Sequence, residues 1–295
     1  MVSVIGAGAW GSAIFYAISQ KIDAVITSRR KRNIEKFVSL EGALKNEYLI
    51  IAIASQSIKD FLEKNKEKIK DKKILVASKG IDNKTNKFLN EIVEEYVDSN
   101  NLAFLSGPSF AKEVKENKPT ALVIASQNEK LADKFSTFFP KFIKIYKSDD
   151  VIGVEVAGAY KNVIAIASGI CEGLNLGNNA KAALIARGLV EMDRFGEFFG
   201  ASKDTFLGVA GAGDLFLTAN STMSRNYRVG LNLSKGKTLD DILKELGEVA
   251  EGVYTTKAIY NIATKKGIYT PIANEVYKII YERKKVKDSL RDLLS

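Results

Sequence analysis

Residues 2–15 read VSVIGAGAWGSAIF. The run Val2–Ile5 is apolar and short, as expected of a buried strand, and the segment from Ala9 has helical composition. Between them stand Gly6, Gly8 and Gly11, spaced G-x-G-x-x-G. Each glycine has a separate physical task in a strand–loop–helix turn that wraps a dinucleotide. The first permits the tight turn, the second lets the backbone approach a pyrophosphate, and the third allows the helix to pack close on the strand. The helix N-terminus then offers unpaired amides and partial positive charge to the phosphates. Strand, glycines and helix agree, so the stretch predicts dinucleotide binding.

Outward from this loop, short apolar runs recur at 23–27, 48–54, 73–78, 102–105, 121–126 and 142–146, and helical segments fill most of the intervals. That alternation predicts an α/β fold, a Rossmann-type doubly wound and mostly parallel sheet. From about Asp149 the pattern becomes Ala-, Leu- and Gly-rich with helical spacing and no clear strand. The expected division is a dinucleotide-binding domain over 1–149 and an all-helical substrate-binding and catalytic domain over 150–295.

The second strand ends in VITSRRKR, with Ser28, Arg29 and Arg30 about twenty residues past the loop, where the ribose is read. A carboxylate there would repel a 2′-phosphate and arginine would hold one. The reading favours NADP(H), with NAD(H) still allowed; the alternative is the basic start of a surface helix. The net charge of +9 comes from lysines interspersed with acids, which is the pattern of solvated helix faces and not of a nucleic-acid surface. A lone cysteine excludes an internal disulfide framework and suits a reducing compartment. The early core strand predicts a chain without a targeting leader, and Glu155, Lys161 and Asn162 speak against a membrane span at 151–170. There is no histidine, so histidine-based metal sites and Ser-His-Asp triads are excluded, and proton transfer falls to lysine, a carboxylate, tyrosine or cysteine.

The segment VIGVEVAGAYKNVIAIASGI is small or apolar nearly all round, as a buried helix would be. A lysine on such a helix needs a partner or a ligand. Lys161 is therefore the leading catalytic candidate, with Asn162 beside it to orient a substrate; the alternative is a lysine that snorkels to water. Desolvation would favour its neutral form, whereas a nearby carboxylate would oppose that. Three further clusters carry anion-binding groups. They are Lys79 and Gly80 after a strand, Gly107 to Ser109 between a strand and a helix, and Asp214, Thr218, Ser224, Arg225 and Asn226 in GAGDLFLTANSTMSRN. Each alone reads as a turn or cap; together with the glycine loop they point to a small phosphorylated substrate.

The stretches GAGAWGSA, SKG, SGPSFAKEV, VAGAYKNVIAIASGICEGL, NAKAALIARGLVEM, GAGDLFLT, STMSRNYRVG and VAEGVYTTKA follow one another along nearly the whole chain. In that order they resemble the bacterial form of the NAD(P)-dependent glycerol-3-phosphate dehydrogenase family. The resemblance implies that Lys161 is the proton acceptor in glycerol 3-phosphate oxidation, with Asp214, Thr218 and Asn162 beside it. It implies that Lys79 meets both substrate and cofactor, and that Gly107 and Ser109 meet substrate. Ser224, Arg225 and Asn226 would hold the substrate phosphate. Ala9, Trp10, Ala111, Arg225, Val249 and Glu251 would touch the dinucleotide. It further implies a cytoplasmic homodimer that supplies glycerol phosphate to phospholipid synthesis without a metal.

The chain departs from the family's pattern in three places. The stretch between Arg32 and Tyr48 is short, Ala54 replaces a usual proline, and Ala212 stands where leucine is commoner. A ketopantoate or sugar-acid phosphate reductase would share the glycine loop but not the joint SGPSF, GAYKN and SRN pattern. A basic nucleic-acid binder would need aromatics interleaved with its cations, and none are found here.

Overall fold

Strand β1 (Val2–Ile5) is buried along its whole length, because as an interior strand in the parallel part of the sheet it has helices on both faces. The other strands are β2 (Ala24–Thr27), β3 (Tyr48–Ile51), β4 (Lys73–Val76), β5 (Leu102–Ser106), β6 (Thr120–Ala125) and β7 (Ile143–Ser148). They form one seven-stranded sheet in the order β2-β1-β3-β4-β5-β6-β7. The pairs from β2 across to β5 are parallel, β5 and β6 are antiparallel, and β6 and β7 are parallel again. The computed structural model describes residues 1–247 and 249–294.

The helices of the first half are α1 (Ala9–Ser19), α2 (Leu40–Ala43), α3 (Ile58–Ile69), α4 (Leu89–Val93), α5 (Ala111–Lys115) and α6 (Glu129–Ser136). Ile14 and Ile18 of α1 and Phe135 of α6 join Val4, Ile26, Ile50, Leu75 and Leu105 of the strands in one core. The short stretch after Arg32 runs back along the sheet edge, where Val38 N–H bonds the Ile26 carbonyl at 2.9 Å. Ala54 has φ −58°, an angle that proline also adopts, so the turn it begins does not depend on that substitution.

The second half is helical: α7 (Val151–Gly173), α8 (Gly177–Glu197), α9 (Lys203–Leu207), α10 (Asp214–Ala219), α11 (Arg225–Leu233), α12 (Leu239–Leu246), α13 (Glu251–Lys266), α14 (Pro271–Tyr281) and α15 (Val286–Leu294). Helix α7 is long and apolar enough to cross a membrane, yet 94% of its most apolar window is buried within the protein. Two glycines set its approach to α11. A Cβ at Gly169 would strike the Tyr227 carbonyl, and one at Gly230 would strike the Ile166 carbonyl. A buried carboxylate ties α8 to α14. Ile272 and Ala273 N–H groups donate to Glu191 at 2.8 and 2.9 Å, and the Tyr160 hydroxyl donates to it at 2.8 Å. That Glu caps the start of α14, whose own N-cap residue, Thr270, makes no side-chain cap.

The contacts divide the chain into two units, one of Met1–Lys79 with Leu89–Val154, the other of Gly80–Phe88 with Glu155–Ser295. The excursion Gly80–Phe88 lies within the helical unit. Its Phe88 ring meets Phe195 and Phe199 at centroid distances of 6.5 and 5.1 Å.

Candidate active site

In the first unit the glycine loop stands at the C-terminal end of β1. Strands β2 and β3 lie on opposite sides of β1, the topological switch point at which open α/β sheets bind ligands. Gly6 has φ +117°, and a Cβ there would strike the Ala52 carbonyl at the end of β3. A Cβ at Gly11 would strike the Gly6 carbonyl. At Gly8 it would meet only open space, and Gly8 has no side chain with which to cap α1. Two glycines therefore close the turn, and the third leaves the backbone bare at the helix start. Ala9 is exposed, and the indole N–H of Trp10 donates to the Ala77 carbonyl at 3.1 Å, joining the loop to the end of β4. Arg29 and Arg30 are exposed just past β2, where the Ser28 hydroxyl donates to the Arg30 carbonyl and closes the turn.

Two motifs separated in sequence meet at the carboxyl ends of β4 and β5. Lys79 Nζ donates to the Gly107 carbonyl at 3.1 Å, and Ser109 Oγ donates to the same oxygen at 3.2 Å. Gly107 has φ +117°, which only glycine adopts without strain. Ala111 opens α5 and packs partly buried against the core.

In the second unit Lys161 of α7 reaches α10. Its Nζ bonds Asp214 Oδ1 at 2.5 Å and Thr218 Oγ1 at 3.0 Å, and Thr218 Oγ1 donates to Asp214 Oδ1 at 3.3 Å. Asp214 and Thr218 are four apart, hence on one face of α10, and the turn Val209–Gly213 delivers Asp214 to the helix start. All three side chains are buried. The structure thus resolves the choice left open by the sequence: the lysine neither snorkels to water nor stands alone in apolar surroundings. It is a donor held in place by Asp214 and Thr218.

The SRN group has a more internal arrangement than its sequence suggests. Ser224 caps α11, its Oγ accepting the Tyr227 N–H at 3.2 Å. Arg225 is half-buried in the first turn, while Asn226 is buried and bonds Asn162 Oδ1 at 2.8 Å. Glu251 is half-buried at the start of α13, and Val249 is exposed. Sequence reasoning passed over Gly252, whose N–H donates to Asn226 Oδ1 at 3.0 Å. Its signal was a helix start, AEG, with no residue able to cap itself.

A Rossmann-type sheet with this loop at its switch point, in a chain that also buries a lysine–carboxylate–hydroxyl cluster, fits the class of nicotinamide-dependent oxidoreductases. The comparisons with known proteins narrow the class. Residues 29–132 match the model for the NAD-dependent glycerol-3-phosphate dehydrogenase N-terminus, and residues 150–291 the model for the C-terminus. A glycerol-3-phosphate dehydrogenase [NAD(P)+] from a Nitratiruptor species is 60% identical over 95% of this chain and 93% of its own. That of Sulfurimonas denitrificans is 58% identical over 100% of this chain and 99% of its own. The crystal structure of glycerol-3-phosphate dehydrogenase from Coxiella burnetii superposes with a TM-score of 0.93 at 32% identity, covering 100% of this chain and 98% of that one. The chain belongs to the NAD-dependent glycerol-3-phosphate dehydrogenase family, and it is an NAD(P)-dependent enzyme acting on a small phosphorylated substrate.

Proposed function

We propose that the enzyme interconverts dihydroxyacetone phosphate and sn-glycerol 3-phosphate, with Lys161 moving the proton at the substrate C2 oxygen. The observation that carries this reading is the buried Lys161–Asp214–Thr218 cluster. The glycine loop fits a dinucleotide: its two packed glycines form the turn, and the bare first turn of α1 offers N–H groups to a pyrophosphate. A reduced nicotinamide bound there would supply the hydride that the carbonyl carbon takes up. Lys161 gives a proton to the oxygen as it gains negative charge, and in the other direction takes that proton from the hydroxyl. Asp214 and Thr218 fix the direction of the lysine Nζ.

Arg225 supplies the charge that holds the substrate phosphate, in the group Ser224 to Asn226, so that binding energy spent there positions the carbonyl. Lys79, Gly107 and Ser109 form a second polar group for the substrate, and Lys79 also serves the dinucleotide with Ala9, Trp10, Ala111, Val249 and Glu251. Residues 1–149 are the dinucleotide-binding half and 150–295 the substrate half. The exposed Arg29 and Arg30 support a preference for NADP(H) over NAD(H). The family resemblance supports a cytoplasmic homodimer that supplies phospholipid synthesis.

The test is reduced-nicotinamide absorbance after mixing protein with dihydroxyacetone phosphate, with NADPH and NADH in parallel. Lys161→Ala is expected to lose roughly 10²–10⁴-fold in kcat, the usual range for a general acid. Wild-type turnover in the variant would remove the lysine from the chemistry. Arg29→Ala/Arg30→Ala is expected to lower the NADPH-to-NADH ratio of kcat/KM by roughly ten- to a hundredfold, the size of a lost charge-assisted contact. An unchanged ratio would end the NADP argument.

A further inference from the structure

Asn162 and Asn226 both stand among the proposed substrate residues, yet their amides are engaged within the protein in a chain with a fixed direction. Gly252 N–H donates to Asn226 Oδ1 at 3.0 Å, Asn226 Nδ2 donates to Asn162 Oδ1 at 2.8 Å, and Asn162 Nδ2 donates to the Gly158 carbonyl at 3.3 Å. A backbone N–H can only donate and a backbone carbonyl can only accept, so the two ends dictate which way each amide points. Flipping Asn226 would set its NH₂ against the Gly252 N–H; flipping Asn162 would set two carbonyl oxygens together. Both asparagines are buried, where such a mismatch is costly.

The same chain joins three helices. Ala250, the N-cap residue of α13, has no side chain to offer, and Asn226 of α11 accepts the Gly252 N–H in its stead. Gly252 has to be glycine for this contact: a Cβ would lie 2.8 Å from Asn226 Oδ1 and 2.8 Å from the Asn162 carbonyl. The close crossing at Gly169 and Gly230 brings α11 near enough to α7 for the two amides to touch.

We propose that Asn226 is a positioning residue, one that acts on catalysis through Asn162 by setting the sense of its amide beside Lys161. The proposal rests on the reading that Lys161 and Asn162 work on the reacting substrate. It leaves Arg225 as the charged holder of the phosphate and makes the first turn of α13 the fixed end of the relay.

A double-mutant cycle tests it, with kcat and KM for dihydroxyacetone phosphate measured at saturating reduced nicotinamide and melting temperature as the check of folding. Asn226→Ser is expected to lower kcat about tenfold or more in the otherwise native enzyme, a larger change than that in KM. In the Asn162→Ala background the same change is expected to lower kcat by less than about threefold, because the residue it acts through is gone. A larger loss in that background overturns the proposal, as does a native-background variant in which KM rises and kcat is kept. Should Asn226→Ser fail to fold, Gly252→Ala pushes on the chain from its other end and is run in the same cycle under the same criteria. The underlying reading fails separately: if Asn162→Ala and Lys161→Ala both keep wild-type kcat, the substrate is not handled there and the proposal falls with it. If those two lose activity and the cycle is additive, only the positioning role falls.

Discussion

Asp214 is 1% exposed and its partner Lys161 only 7%, so water does little to compensate either charge. Removing one member takes its close opposite charge from the buried other, at a cost of about 3–5 kcal/mol, whereas a well-packed apolar pair in the same space is often neutral or better. Asp214→Ala is therefore expected to melt well below the wild type. Lys161→Met/Asp214→Leu should recover most of that stability while remaining inactive. Calorimetry beside the absorbance assay checks both; a double variant as unstable as the single one would refute the account. Trp10 offers a second residue-level test. It is the only tryptophan, fixed by its bond to Ala77 at the glycine loop. Reduced nicotinamide absorbs where tryptophan emits, so NADPH titration is expected to quench the intrinsic fluorescence saturably. Emission that ignores NADPH would place the nicotinamide elsewhere.

At the level of elements, α7 is held from two sides, by the glycine crossing with α11 and by Tyr160 on the Glu191 cap of α14. Gly230→Ala sets a methyl group against the Ile166 carbonyl. Overpacking of this kind costs about 1–3 kcal/mol. The same shift parts Asn226 from Asn162, so kcat is expected to fall in a protein that still folds; unchanged kcat would show that the crossing is not tied to the chemistry. The other tie is sensitive to pH. Burial, with the Glu191 carboxylate beside it, keeps the Tyr160 hydroxyl protonated well above its usual range, and burial pushes Tyr281 up to about 12. In the unfolded chain both ionise near pH 10. The folded state thus holds more protons above that pH, and the stability present below it declines as pH rises, by about 1.4 kcal/mol per pH unit for each tyrosine. Urea unfolding between about pH 9 and 12 should show this decline. Tyr160→Phe should make it shallower by one proton's worth, and an equal slope in the variant would exclude Tyr160 as a source.

Across the whole molecule, what could be read from the sequence was whatever a local pattern encodes. All seven strands could be read as short apolar runs, and the glycine loop because its spacing is itself the geometry. The reversal at β6 could not, since hydrophobicity carries no strand direction. Lys161 stood out as a charge on an apolar helix, but its bond to a carboxylate 53 residues away is a fact of packing alone. The excursion Gly80–Phe88 was hidden for the same reason: it lies in sequence between β4 and α4, yet its side chains belong to the helical unit. Ile81 pairs with Phe88, Asn261 bonds Asn86 at 3.3 Å, and Phe88 is 1% exposed against Phe195 and Phe199. Phe88→Ala therefore opens a cavity in the helical unit, at about 3–5 kcal/mol, although the residue is numbered within the first half. Native-state hydrogen exchange can locate the damage. Protection is expected to fall along α8, which carries Phe195, while the amides of β4 and β5 on either side of the excursion in sequence keep theirs. If β4 and β5 lose protection as much as α8 does, Phe88 belongs energetically to the sheet and the chain folds as one unit with its sequence neighbours; if α8 alone responds, the helical unit draws part of its core from a segment that the linear order assigns to the dinucleotide half.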